Sequence, residues 1–255
     1  MANSFSSISG SKRSLHVQVA REIARGILSG KIEQGSILPG EMFLCEQFGV
    51  SRTALREAVK LLTSKGMLES RPKVGTKVVE RAYWNFLDSQ LLEWMDGITD
   101  KSVFYRQFLG LRLAIEPEAC LLAAKHATAE QRIQLSEAFQ EMCVVAEAQP
   151  FDQQKWTQVD MRFHDLIFRS TGNDFYLPFG NILKTMFVNF FIHSSKDGGT
   201  CIDEHRTIYE AIMAGNGEKA KLASVTHLNE NNHRLQALEE QNQALLAQSG
   251  IKKAV

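Results

Sequence analysis

No apolar run in the sequence approaches the roughly 18 residues that a membrane-spanning helix requires. The first residues, MANSFSSISGSKRS, also lack the apolar core of a secretion signal. They are rich in serine, so we expect residues 1–11 to be disordered. These absences favour a cytoplasmic protein that has no membrane partner.

Motifs that mark common enzymes and metal-binding modules are also missing. The four cysteines show no CxxC spacing, so neither a zinc finger nor a redox motif is predicted. We find no Ser-His-Asp arrangement, phosphate-binding loop or HExxH motif. The sequence therefore predicts a protein that is not an enzyme, and a metal-dependent hydrolase fused to a binding module is kept as an alternative.

The chain has 255 residues and no net charge, but the charge is distributed unevenly. Residues 1–81 contain 13 Lys and Arg against 7 Asp and Glu, a net charge of +6. Residues 82–255 contain 16 and 22, a net charge of −6. A basic N-terminal region favours a polyanionic partner, and the length accommodates two modest domains.

Residues 38–68 are typical of two short helices joined by a tight turn. Gly49 favours the left-handed conformation that ends a helix, and Ser51 is a suitable N-cap for the next one. The second helix has an apolar face and a basic face. The basic face consists of Arg52, Arg56 and Lys60, with Thr53 in the first turn. This pattern indicates a DNA recognition helix, although an ordinary hairpin with a solvated basic face would look similar.

A β-hairpin is predicted directly after this helix. Two short strands flank a turn at residues 72–75, and two helices followed by a hairpin form the layout of a winged helix-turn-helix. The turn carries Lys73 and Gly75, and glycine permits close approach of the backbone to a phosphate or groove. We therefore predict a winged helix-turn-helix over residues 12–80 that binds double-stranded DNA.

Residues 14–80 resemble the N-terminal domain of GntR-type transcription regulators. The resemblance rests on the helix at residues 15–28, the GSILPGE turn, FGVSRTALREAVKLL and VGTKVV, in that order. It implies a set of DNA-contacting residues: Arg52, Thr53, Arg56, Lys73, Gly75 and Thr76. Met42 and Phe43 stand where family members carry a basic residue that contacts DNA, so one such contact is missing.

Residues 81–100 are predicted to form a linker helix, because tryptophan and leucine recur there at helical spacing. The segment WNFLD within it resembles galactonate-type sugar-acid regulators. The remainder is helical throughout, and its predicted helices span residues 101–126, 129–148, 151–170, 174–195, 202–214 and 217–248. We predict a mainly α protein with a C-terminal antiparallel all-helical bundle at residues 101–248 and a tail at residues 249–255.

One carboxylate and three histidines form the only pattern in the bundle that suggests a site. Asp160 and His164 are spaced i, i+4 and project from one helix face, whereas His205 and His227 belong to two later helices. A lone Asp-x3-His pair is usually a helix salt bridge. Four such groups from three helices, however, could bind one divalent ion, and a larger octahedral ion would keep two positions for water or a substrate carboxylate.

The segments around these residues resemble the FCD effector domain of the FadR branch of GntR regulators. They are LGLRLAIEPEACLLAA, DMRFHDLIFRSTGN, DEHRTIYEAIMAGN and ASVTHLNEN. The resemblance implies the metal ligands Asp160, His164, His205 and His227. It also implies Arg112 as the anchor for a carboxylate effector. Asn231 lies one turn after His227, so spacing alone makes it a candidate for the same pocket.

Together these patterns predict a homodimeric repressor that a small organic acid releases from a palindromic operator. A sugar acid is the expected effector because of the WNFLD likeness. Zinc is the expected ion on availability, and nickel and manganese stay open. An architectural DNA binder with a dimerising bundle is the other alternative.

Overall fold

The computed structural model describes residues 12–98, 101–187 and 201–230. The chain divides between Thr99 and Asp100 into two compact units. The predicted tails at residues 1–11 and 249–255 lie outside the described residues, as do the ends of the helices predicted at 174–195 and 217–248. None of the described helices is long and apolar enough to cross a membrane.

The N-terminal unit begins with three helices, which are followed by a two-stranded antiparallel sheet. Its elements are α1 (Lys12–Leu28), α2 (Glu41–Phe48), α3 (Arg52–Ser64), β1 (Leu68–Arg71) and β2 (Gly75–Val78). α1 packs across α3, and α2 also packs against α3. The buried side chains of this core include Val19, Ile23, Ile27, Phe48, Leu55 and Leu62. The predicted winged helix-turn-helix is confirmed.

The turn between α2 and α3 forms as its residues predict. Gly49 ends α2 with a φ of 67°, in the left-handed region that glycine adopts without steric cost. Ser51 then caps α3, and its hydroxyl oxygen accepts a hydrogen bond from the backbone N–H of Ala54 at 3.3 Å. These two local signals fix where the recognition helix begins.

The prediction of one linker helix over residues 81–100 is wrong. A 3₁₀ turn at Arg81–Tyr83 is followed by non-helical residues, and only Ser89–Met95 forms a helix, α4. The reason is local, because Asn85 and Asp88 accept hydrogen bonds from backbone N–H groups two and three residues ahead. Such Asx bonds compete with helix and place Asp88 at an N-cap.

α4 belongs to the N-terminal unit and is fixed there by two cations. The buried Lys65 Nζ lies 2.7 Å from Asp88 Oδ1 and 5.3 Å from the centre of the Trp94 ring. Arg25 donates to the carbonyl oxygens of Trp94 and Asp96 at 3.3 and 2.9 Å. The tryptophan spacing that predicted a helix between domains therefore comes from core packing within one unit.

The described part of the C-terminal unit is entirely helical. Its helices are α5 (Lys101–His126), α6 (Ala129–Glu147), α7 (Gln153–Arg169), α8 (Leu177–Met186), α9 (Ile202–Met213) and α10 (Gly217–Glu230). α10 packs on α5 and α9, and α7 packs on α5, α6 and α8. The predicted mainly α fold with a helical C-terminal domain is confirmed.

The start of α8 differs from the predicted helix at residues 174–195. Asp174–Tyr176 forms a 3₁₀ turn, and the α-helix begins at Leu177 with Pro178 in its first turn. Proline lacks the N–H that an interior helical position needs, but the first turn has no partner for that N–H. The proline therefore marks the beginning of this helix.

Candidate functional site

The basic residues predicted to contact DNA lie on the exposed side of α3. The side chains of Arg52 and Arg56 are 64% and 66% exposed, and Thr53 is exposed beside them. Glu41, at the start of α2, lies 3.1 Å from Arg56 Nε through Oε2 and 3.9 Å from Arg52 Nε through Oε1. One carboxylate therefore holds both guanidinium groups near the first turn of the recognition helix.

The hairpin brings further predicted residues beside this helix. Arg56 of α3 and Thr76 of β2 line one depression in the surface of the unit. Lys73 and Gly75 form the tip, with φ angles of 64° and 113°. A side chain at Gly75 would be strained by that φ, and its Cβ would lie 3.1 Å from Ile37 Cγ2. The backbone conformation and the nearby Ile37 therefore both favour glycine at this position.

Met42 and Phe43 are 62% and 43% exposed on α2, next to Glu41. An apolar pair therefore occupies the surface where the resemblance implied a basic contact. Apolar side chains can contact thymine methyl groups but cannot neutralise a phosphate.

The four predicted metal-binding residues converge in the interior of the C-terminal unit. Asp160 and His164 project from α7, His205 from the first turn of α9, and His227 from α10. All four are between 1% and 5% exposed. The donor nitrogens of the three histidines lie within 4.8 Å of one another. Packing of three helices thus assembles a cluster that no single segment contains.

The spacing of the donor atoms fits a single ion. Asp160 Oδ1 lies 2.8 Å from His205 Nε2 and 3.7 Å from His164 Nε2, and the two Nε2 atoms are 3.3 Å apart. Donors that share an ion at about 2.1 Å lie about 3.0–3.4 Å apart at tetrahedral or octahedral angles. The separation of the two Nε2 atoms lies in this range, and the two separations from Asp160 Oδ1 lie slightly below and slightly above it. Neutral imidazoles and a carboxylate are also a chemically suitable donor set for a divalent transition metal.

Two hydrogen bonds orient the histidine rings. His205 Nδ1 lies 2.7 Å from the carbonyl oxygen of Cys201, and His164 Nδ1 lies 3.2 Å from Glu116 Oε2. Both acceptors favour a proton on Nδ1, which leaves the Nε2 lone pair directed toward the cluster. Aromatic rings of Trp156 and Phe163 contact His205 edge-on and close the other side.

Arg112 and Glu116 form a buried ion pair next to this cluster. The Arg112 guanidinium donates through Nε to Glu116 Oε1 and through Nη2 to Glu116 Oε2, the latter at 3.0 Å. Burial by itself raises the pKa of Glu116, but Arg112 and the hydrogen bond from His164 lower it to about 2. Burial likewise disfavours the charge on Arg112, yet Glu116 raises its pKa above the ordinary value.

His227 is held in its neutral form. Burial lowers its pKa well below the ordinary value of 6.5, and the neighbouring His205 and His164 lower it further. Its ring centre lies 4.3 Å from that of His205 and 5.5 Å from that of His164. A neutral imidazole is the form that binds a metal ion, so at neutral pH no proton has to leave.

Each of the two units matches a known protein family. Residues 15–78 match the family model described as bacterial regulatory proteins, gntR family, and residues 107–230 match the FCD domain. The uncharacterized HTH-type transcriptional regulator YieP of Escherichia coli (strain K12) is 40% identical over 209 residues, which are 82% of this chain and 90% of the relative. The chain belongs to the GntR family of transcription regulators.

The chain is also similar to other proteins along most of its length. The galactonate operon transcriptional repressor of Escherichia coli (strain K12) is 26% identical over 220 residues, 85% of this chain and 94% of the relative. The solved structure of Lar, a protein that controls the expression of the Listeria monocytogenes agr system, matches with a TM-score of 0.61 at 20% identity. It covers 90% of this chain and all of that one, and shows the fold. Because the chain belongs to the GntR family, it is a DNA-binding transcription regulator and not an enzyme.

The structure brings most of the predicted metal- and effector-binding residues of this GntR regulator together in the C-terminal unit. The predicted ligands come together, and Arg112 lies next to them through Glu116. Asn231 lies outside the described residues. Sequence reasoning missed Glu116, although its i, i+4 spacing from Arg112 was a usable signal for an ion pair on one helix face.

Proposed function

We propose that the protein is a homodimeric repressor that releases a palindromic operator when a small carboxylate metabolite binds at a divalent metal in the C-terminal unit. The observation that carries this proposal is the buried cluster of three histidines, His164, His205 and His227, whose donor nitrogens lie within 4.8 Å of one another, with the carboxylate of Asp160 beside two of them. A regulator that acts on the chromosome would work in the cytoplasm.

Recognition of the operator would use α3 and the hairpin. Arg52, Thr53 and Arg56 present donors from exposed positions in the first turns of α3, where side chains reach base edges in the major groove. Lys73, Gly75 and Thr76 of the hairpin would contact the adjacent backbone. In a dimer, two such helices would occupy half-sites about 34–36 Å apart.

The ion would be held by the carboxylate of Asp160 and the imidazoles of the three histidines. Zinc is the first candidate, with nickel and manganese as alternatives, because all three accept nitrogen and carboxylate donors. When bound, it would supply a positive centre that attracts the carboxylate of a ligand. The apolar rings of Trp156 and Phe163, which pack edge-on against His205, would lower the local dielectric constant and strengthen that attraction.

The proposed effector is a sugar acid. The WNFLD segment and the similarity to a relative named as the galactonate operon repressor both support this class. Arg112 would anchor the carboxylate of the effector. Since Glu116 already accepts from its Nε and Nη2, the effector would approach the remaining edge of the guanidinium. We retain Asn231 as a further contact.

The test combines metal analysis with operator release. Purified wild-type protein should contain about one divalent ion per chain, whereas His205→Ala and His227→Ala should contain far less. A panel of sugar acids should include one that releases the wild-type protein from its operator and leaves both variants bound. Equal metal content in all three proteins would contradict the metal site, and an operator complex insensitive to every acid would indicate an architectural DNA binder.

A further inference from the structure

Glu116 makes contact with two different kinds of group at once. Its carboxylate accepts from the Arg112 guanidinium through both oxygens, and its Oε2 also lies 3.2 Å from His164 Nδ1. The residue is 2% exposed on α5, whereas His164 lies on α7. A single carboxylate thus connects the arginine of one helix with a candidate metal ligand of another.

We propose that Glu116 is a positioning residue for the metal site, which fixes the Nδ1–H tautomer of His164 and holds Arg112 beside it. This inference rests on the proposed function, since it assumes that His164 binds an ion through Nε2. The sequence-based prediction named the metal ligands but no residue that orients them. The assignment comes from the contact between α5 and α7.

A neutral imidazole carries one proton on its ring nitrogens, either on Nδ1 or on Nε2. Only a protonated Nδ1 can donate to Glu116 Oε2, and Nε2 is then left with a lone pair. That Nε2 faces Asp160 Oδ1 at 3.7 Å and His205 Nε2 at 3.3 Å, in the middle of the cluster. The opposite tautomer would direct an N–H at the ion and leave Nδ1 facing a carboxylate.

The isosteric amide cannot accept from all the donors that the Glu116 carboxylate faces. Arg112 and His164 are both donors toward Glu116, and a carboxylate offers acceptors to both. Glutamine has one acceptor oxygen and one donor NH₂, so it must direct the NH₂ at one of the two donors. Loss of such partners of metal-bound histidine lowers metal affinity about 10–100-fold.

The first experiment measures zinc affinity by competition with a chromogenic chelator. Glu116→Gln should bind zinc about 10–100-fold more weakly than the wild type. Glu118→Gln is the matched control, because Glu118 lies on the same helix, is 41% exposed, and pairs with Lys221 of α10 at 2.8 Å. This control should keep wild-type affinity. Equal affinity of wild type and Glu116→Gln, or an equal loss in both variants, would overturn the inference.

The second experiment reads the tautomer of His164 directly in the wild-type protein. In ¹⁵N-histidine-labelled, chelator-treated wild-type protein, His164 should show the chemical shifts of the Nδ1–H form, with the signal assigned by its absence in His164→Asn. In Glu116→Gln this signal should move toward a mixture of tautomers. An Nε2–H form in the wild type would overturn the inference.

The two proposals fail in different ways. A wild-type protein that binds no zinc, nickel or manganese would refute the proposed metal site itself. A wild-type protein that binds zinc tightly while Glu116→Gln does so equally well would refute only the role of Glu116.

Discussion

The two units use charged side chains in opposite environments. In the N-terminal unit, Arg52 and Arg56 are about two-thirds exposed and share Glu41 as a partner. In the C-terminal unit, the Arg112–Glu116 pair is 3% exposed and contacts the histidine cluster. The first arrangement leaves cations available to a polyanion, and the second fixes the geometry of donors that face one another.

This contrast indicates which groups can be altered at low energetic cost. Exposed ion pairs contribute little to stability, because water solvates each partner when the other is removed. Buried pairs give large losses when one partner is removed, since the remaining charge has no solvent. Burial, rather than the number of charges, should therefore determine the effect of a substitution in either unit.

The largest effect should come from the buried cation of the N-terminal unit. Lys65→Met keeps the apolar stem but removes the ammonium that contacts both Asp88 and the Trp94 ring. It should lower the free energy of unfolding by about 3 kcal/mol, the low end of the range for buried pairs, because Asp88 is 27% exposed. Lys60→Met removes an exposed partner of Glu57 and should have little effect. Chemical denaturation measures both variants, and equal stability of the two would contradict the contrast between buried and exposed pairs.

Metal binding should stabilise the wild type by about 2.7 kcal/mol when free zinc is 100 times its dissociation constant. His205→Ala should lose this stabilisation because it removes one of the central donors. His126→Ala, which changes an exposed histidine on α5, should keep it. Calorimetry with and without zinc gives the comparison, and zinc stabilisation of His205→Ala would be inconsistent with the cluster as the site.

Arg56→Ala should weaken operator binding by about 1–3 kcal/mol if a base contact is lost, and Arg52→Ala by a similar amount. Neither variant should change zinc affinity. Arg162→Ala is a suitable control, because this arginine pairs with Glu141 on the C-terminal unit. Gel-shift titration at fixed salt measures the effect, and wild-type affinity in both α3 variants would refute α3 as the recognition helix.

Acid should destabilise the metal-free protein through His227. Its folded-state pKa is lowered, so below about pH 6.5 the unfolded chain binds a proton that the folded chain does not. Stability should be unaffected by this residue above pH 6.5 and fall as pH decreases below it, by at most about 1.4 kcal/mol per pH unit. Denaturation of chelator-treated protein from pH 7.5 to 5.5 tests this, and His227→Asn should have a shallower dependence.

The smallest effect should come from the exposed pair beside the recognition helix. Glu41→Gln removes the carboxylate that both arginines share, yet it should change the free energy of unfolding by less than about 1 kcal/mol. Denaturant titration beside Lys65→Met provides the direct contrast within one unit. If Glu41→Gln lowered the free energy of unfolding as much as Lys65→Met does, exposure would not predict the contribution of an ion pair to stability.

The N-terminal unit was predictable because its signals are local. Gly49 and Ser51 define the helix ends within a few residues, and the apolar and basic positions of α3 are fixed by helical spacing. The prediction of a linker helix was wrong because it relied on the spacing of the tryptophans. It did not consider the hydrogen bonds that the side chains of Asn85 and Asp88 accept, which prevent one continuous helix. Periodicity does not distinguish a free helix from a segment packed into a core.

The candidate metal site could be predicted as a set of residue types but not as a geometry. Asp160 and His164 share a face by spacing alone, whereas their approach to His205 and His227 depends on how α7, α9 and α10 pack. Only the tertiary structure placed Glu116 between Arg112 and His164, because that contact joins residues 48 positions apart along the chain. Sequence determines which side chains a helix presents, and packing decides which of them meet.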